Sequence, residues 1–180
     1  MQNSWNRSLS QLLSQKIADA GSLPRTAILG VGNLFRCDDA AGMLAARGLR
    51  AKAFTADSDR LLICEAGPAP ENWTGTLREF APDLVIFIDA ADMGEEAGTV
   101  QWIPEERIDG MSASTHSLPL SMLAHYLTLE LGCRVLFLGI QPASVDIGET
   151  VSEEVLQAVN EVFTGLDEFI GATMPTGDQA

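Results

Sequence analysis

Positive charge is scarce in this chain: 11 lysines and arginines stand against 25 aspartates and glutamates, a formal net charge of −14. That deficit argues against unassisted binding to nucleic acid or to an anionic membrane surface, both of which are gripped by clustered cationic side chains. A protein partner or a cation suits the surface better. The doublets Glu95-Glu96, Glu105-Glu106 and Glu153-Glu154 nevertheless read simply as solvated surface.

Cysteine is sparse too. Cys37, Cys64 and Cys133 form an odd set, two of them near apolar strand-like runs, so the chain is expected to lack a disulfide framework and to sit in a reducing compartment. No apolar run approaches the ~20 residues that span a bilayer. The opening MQNSWNRSLSQLLSQKIADAG lacks the unbroken apolar stretch of a signal peptide. A cytoplasmic location without membrane insertion is the expectation. Internal repeats and low-complexity linkers are missing as well, and 180 residues fit one domain with its own core.

What is present is an alternation of apolar runs and helical stripes. Leu9, Leu12, Leu13 and Ile17 recur at helical spacing, which predicts an N-terminal helical extension over 1–24 ahead of a single α/β domain over 25–170. Residues 171–180 read as a flexible tail. From Thr26, TAILGVG reads as a buried strand that breaks into GNLFRCDD and then a small-residue helix closing at Gly48. LLICE (61–65) is a second strand, followed by a short helix with Trp73, Leu77 and Phe80 on one face, stopped by Pro82.

LVIFIDA (84–90) is apolar without alternation, as a central parallel strand covered on both faces must be. TVQWI (99–103) is more polar and belongs at an edge, ended by Pro104. Leu120, Leu123, Leu127 and Leu131 stripe one helix, and RVLFLGIQP is the last strand. A final helix starts at Ser152, whose hydroxyl is expected to cap it, and buries Val155, Val159, Val162, Leu166 and Phe169. Strand and helix alternating in this way predict a three-layer α/β/α sandwich around a mostly parallel sheet.

In such a sheet the loops at the carboxyl ends of the strands converge on one crevice. Asp38 and Asp39 follow the first strand, Asp89 ends the central one, and His116 precedes Pro119 at the head of a helix. Two carboxylates and an imidazole make a mixed O/N donor set for a divalent transition metal. Each has a plainer reading: Asp39 as a helix cap, Asp89 as a turn holder, His116 as a capping or surface residue. His125, on a helix with no acidic companion at site-like spacing, reads as surface. GVGN is weak as a nucleotide signal, because Phe35 stands where the third glycine of GxGxxG belongs, and a tight turn accounts for its glycines. Cys37 could act as a nucleophile with His116 as its base, yet a lone cysteine is more often inert.

The blocks GVGNLFRCDDAAG, IDAADMG, STHSLPL and FLGIQPASVDIGETVSEEV, in that order, resemble the [NiFe] hydrogenase maturation protease family over about residues 26–170. APEN (69–72), DMG (92–94) and GIQP (139–142) are most similar to the branch that processes hydrogenase-3-type enzymes. The resemblance implies a five-stranded twisted sheet with one antiparallel strand, of phosphorylase/hydrolase-like architecture, in which TVQWI would be the odd strand. It further implies an endopeptidase that removes the C-terminal extension of the hydrogenase large-subunit precursor once nickel is in place. Metal ligands carried across are Asp39, Asp89 and His116, meeting nickel brought by the substrate, with other divalent metals able to occupy the site. Catalytic roles fall to Asp39, Asp38 and Asp89, through a metal-activated water or a carboxylate base. One departure is Ala40, where the family has glycine, so the turn must avoid positive φ there or accept strain. The alternatives are a Cys37/His116 thiol peptidase and a chaperone that binds the nickel-loaded subunit without cutting it.

Overall fold

A computed structural model describes residues 5–7, 11, 24–53, 59–110, 119–148 and 150–173. Five strands form one sheet: β1 (Thr26–Val31), β2 (Leu61–Gly67), β3 (Leu84–Ala90), β4 (Val100–Ile103) and β5 (Arg134–Ile140). Flanking it, among the described residues, are α1 (Ala41–Ala53), α2 (Thr74–Phe80), α3 (Leu120–Leu131) and α4 (Glu153–Thr173).

The strand order is β2-β1-β3-β5-β4. β1 pairs in parallel with both β2 and β3, β3 pairs in parallel with β5, and β4 alone runs antiparallel, on the outer edge beside β5. TVQWI is therefore both the edge strand and the odd one.

β3 is buried along its whole length, and its side chains divide between two cores. Ile86 and Ile88 face a layer made by Ala41, Ala45 and Leu49 of α1 with Val155, Val162 and Leu166 of α4. Val85 and Phe87 face the opposite layer, with Leu77 of α2 and Leu123 and Leu127 of α3. Phe87 and Phe137, cross-strand partners, stack at 5.1 Å between centroids. A fully buried side chain of this kind contributes about 1.5–3 kcal/mol. Two apolar faces per strand are what the unbroken LVIFIDA run requires, and they make the three layers.

Several local expectations change. α1 does not close at Gly48 but continues to Ala53. Gly48 lies where α1 meets α4, with the Phe163 ring 3.2 Å from where its Cβ would stand. Its lack of a side chain serves helix packing, not a helix end. α4 runs on to Thr173, into the expected tail. Of the predicted N-terminal extension, Leu9, Leu12, Leu13 and Ile17 lie outside the described residues, yet Trp5 is 3% exposed and belongs to the α1/α4 core. Its side chain packs as part of the domain.

Candidate active site

The order of strands reverses direction between β1 and β3, since the chain moves from β1 outward to β2 and then returns to the other side of β1. In open α/β sheets this switch point opens a crevice at the strands' carboxyl ends. Asp39 arrives there from β1 and Asp89 from β3.

The route out of β1 is tightly dictated. Gly32 holds φ +124, and a Cβ there would stand 1.8 Å from the Asp39 carbonyl oxygen, so only glycine allows the turn to fold back. The Asn33 N–H then donates to the Asp39 carbonyl at 3.2 Å, and the Phe35 N–H to Asn33 Oδ1 at 3.0 Å. A short 3-10 helix (Cys37–Ala40) follows and leads directly into α1. α1 approaches β1 and β3 so closely that a Cβ on Gly42 would lie 2.1 Å from the Ile88 carbonyl oxygen. The turn bearing Asp39 thus lies against the strand bearing Asp89.

Ala40, the position where a glycine was missed, does not take positive φ. That conformation falls instead on Cys37, at φ 42. The Cys37 N–H donates to the Gly148 carbonyl at 2.7 Å, and this bond helps hold a backbone shape that most residues avoid. The Cys37 thiol is partly exposed and the other two are buried. Burial pushes the Cys64 thiol up to about 12, against a smaller downward pull from Arg50, and it raises Cys133 as well. All three are free thiols.

Asp38 and Asp39 are neighbours with different surroundings. Asp38, 1% exposed, accepts hydrogen bonds on Oδ2 from the Ala143 N–H at 2.8 Å, the Ser144 N–H at 3.0 Å and the Ser152 hydroxyl at 3.0 Å. Its Oδ1 accepts from the Ser152 N–H at 2.7 Å. A carboxylate has about four lone-pair sites, so this one is fully engaged in tying the β5–α4 loop and the head of α4 to the β1 turn. The Ser152 hydroxyl, expected to cap α4, donates to Asp38.

Asp39 is 0% exposed and Asp89 is 5% exposed. Asp39 therefore sits deeper than a loop residue of a strand-end crevice was expected to. Asp89 lines a small cavity with Phe87, Ala91, Ile103, Ile108, Leu120 and Phe137. Buried carboxylates are costly unless paired, hydrogen-bonded or bound to a cation. Buried carboxylates on adjoining elements offer the hard oxygen donors that a divalent metal accepts, together with an imidazole. His116 lies outside the described residues, and among the described residues no set of three metal-ligating side chains comes together. His125 is exposed on α3, as expected.

The DMG and GIQP blocks meet as one lock. Gln141 Oε1 accepts from the Met93 N–H at 2.7 Å and the Glu95 N–H at 3.2 Å, while its Nε2 donates to Asp92 Oδ1 at 3.2 Å. The segment leaving β3 just after Asp89 is thereby fixed to the end of β5.

Comparison with known proteins identifies the family and the fold. A family model described as hydrogenase maturation protease matches residues 49–166. A putative hydrogenase maturation protease of Methanocaldococcus jannaschii is 32% identical over 167 residues, covering 90% of this chain and 96% of its own. The hydrogenase 3 maturation protease of Escherichia coli K12 is 33% identical over 145 residues, covering 80% and 90%. Among solved structures, a [NiFe] hydrogenase maturation protease from Thermococcus kodakarensis superposes with a TM-score of 0.73 at 32% identity, over 86% of this chain and 98% of that one. The solution structure of an Escherichia coli endopeptidase of the same kind gives 0.69 at 34% identity, over 81% and 91%. With its five-stranded sheet and these relatives along most of its length, the chain belongs to the hydrogenase maturation protease family and is a peptidase.

Proposed function

We propose that this peptidase removes the C-terminal extension of a [NiFe] hydrogenase large-subunit precursor in the cytoplasm, after nickel has been inserted. Asp39 and Asp89 meet the nickel that the precursor carries, with His116 as the nitrogen donor. The observation that carries this reading is the burial of both carboxylates at one switch point, where a cation delivered by the substrate relieves their repulsion. Ile108 and Leu120 line the same cavity as Asp89. Metal so held polarises a carbonyl or lowers the pKa of water. Other divalent metals satisfy the same donors.

Of the acids, Asp39 is the candidate base or ligand next to the scissile bond. Asp38 serves as the holder of the loop, since its acceptor sites are occupied.

Intact-mass analysis tests the proposal. Nickel-loaded precursor incubated with the protein should lose a C-terminal peptide, and nickel-free precursor should not. Asp39→Asn should slow the loss by on the order of 100-fold or more while the protein still melts cooperatively. Equal cleavage of both precursors would remove nickel from the recognition step. Binding without mass change would leave only a chaperone role.

A further inference from the structure

Beside the crevice two large apolar side chains stand in water: Phe35 is 65% exposed and Ile147 91% exposed. Single exposed apolar residues are ordinary on a protein surface, but these two are built together. Arg36 and Gly148 form an isolated parallel bridge, and the Gly148 N–H donates to the Phe35 carbonyl at 2.9 Å. Phe35 and Ile147 each precede a bridge partner by one residue, so they occupy matching positions on adjoining backbones.

The loop bearing Ile147 is also firmly held. Arg36 donates through Nε and Nη2 to the Val145 carbonyl at 3.1 and 2.9 Å. The Asp38 N–H donates to the Ser144 carbonyl at 3.0 Å, and the Asp38 carboxylate binds the loop at both ends. A tether this extensive fixes Ile147 outward instead of letting it fold onto the core. Apolar side chains fixed in advance lose little entropy when a partner covers them.

Phe35 and Asp39 belong to one short turn, so a macromolecule whose nickel and polypeptide reach Asp39 lies over Phe35. We infer that Phe35 and Ile147 form a docking ridge for the folded body of the precursor, next to the tail that is removed. The inference rests on the reading of Asp39 given above. Exposed Asp146 beside Ile147 and the net charge of −14 fit a complementary patch that is apolar at its centre and neutral or basic at its rim.

Steady-state processing of the nickel-loaded precursor by the full chain tests this. Phe35→Ser combined with Ile147→Ser should raise KM about ten-fold or more, the scale of losing two buried apolar contacts, with kcat little changed and the melting curve that of wild type. Leu129→Ser, which removes a side chain 71% exposed on α3 in the opposite layer, should leave KM unaltered. An unchanged KM in the double variant, a loss confined to kcat, or an equal rise in Leu129→Ser would overturn the ridge. A wild-type protein that leaves loaded precursor intact would instead bring down the proposed function, and the ridge with it.

Discussion

Adjacent aspartates, alike on paper, answer to different partners once the chain is folded. Asp38 meets four donors from one loop, and no amide can replace it: either oxygen, turned into an NH2, would face an N–H. Asp38→Asn and Asp38→Ala should therefore both lower stability, by about 3 kcal/mol when orphaned donors at ~1–3 kcal/mol each are partly rescued by water. Urea denaturation measures this. Asp39→Asn should keep most of its stability while processing collapses, because the amide removes a buried charge and leaves the turn's backbone bonds intact. If the two substitutions exchange these phenotypes, the roles assigned to the acids are reversed. Cys37 is the second residue-scale case. Its partly exposed thiol should be alkylated near neutral pH, whereas Cys64 and Cys133, raised by burial, stay protonated and unreacted. Cys37→Ser should process precursor at close to the wild-type rate, and peptide mapping with the mass assay reads both outcomes. Inactivity of Cys37→Ser would revive the thiol-peptidase reading. From sequence both acids carried the same catalytic expectation, since spacing places them at the crevice but does not show which loop comes back, more than a hundred residues later, to occupy Asp38.

The elements themselves were largely legible. Five apolar runs became five strands and the leucine stripe over 120–131 became α3, because burial on two faces leaves a pattern that short-range rules detect. Their ends were less so. Gly48 reads as a helix stop only if nothing packs on it, and the Phe163 ring that does so lies far along the chain. The antiparallel direction of β4 came from the family resemblance, since polarity alone placed it at an edge. The most consequential contact between elements is α1 against β1 and β3, where Gly30 faces Gly42: a Cβ on Gly30 would lie 2.1 Å from the Gly42 carbonyl oxygen. Gly42→Ala should push α1 away from the sheet and carry the Asp39 turn with it. The expected loss is about 1–3 kcal/mol, typical of overpacking, with processing reduced well beyond what the lowered stability explains. A thermal melt paired with kcat at a temperature where the variant stays folded separates the two effects. Full activity in Gly42→Ala would mean that the position of Asp39 does not depend on this approach.

Across the whole molecule, the N-terminal segment is joined to the last helix and the edge strand through one residue. Trp5 donates from Nε1 to Glu161 at 2.6 Å, accepts on its carbonyl from Trp102 Nε1 at 2.8 Å, and meets the Trp102 ring edge-on at 6.3 Å. α4 is notched for it, since a Cβ on Gly165 would stand 2.6 Å from the Trp5 ring. The sequence held no sign of this, because a tryptophan in a polar leader shows no periodicity and its receptor is a missing side chain on a distant helix. Trp5→Ala should cost about 3 kcal/mol or more, on the order of 10 °C in Tm for a chain of this length. Gly165→Leu should produce a similar fall by filling the notch. Both act on the same contact, so the double variant should lose less than the sum of the two. Glu161 and Gly165 lie roughly 14–20 Å along α4 from Ser152, at 1.5 Å per residue, well away from the Asp38 clamp, so kcat for loaded precursor should hold in every variant below its melting temperature. Additive losses in the cycle would show that Trp5 and Gly165 do not act on each other, and a fall in kcat would extend the influence of the N-terminal segment to the catalytic end of the sheet.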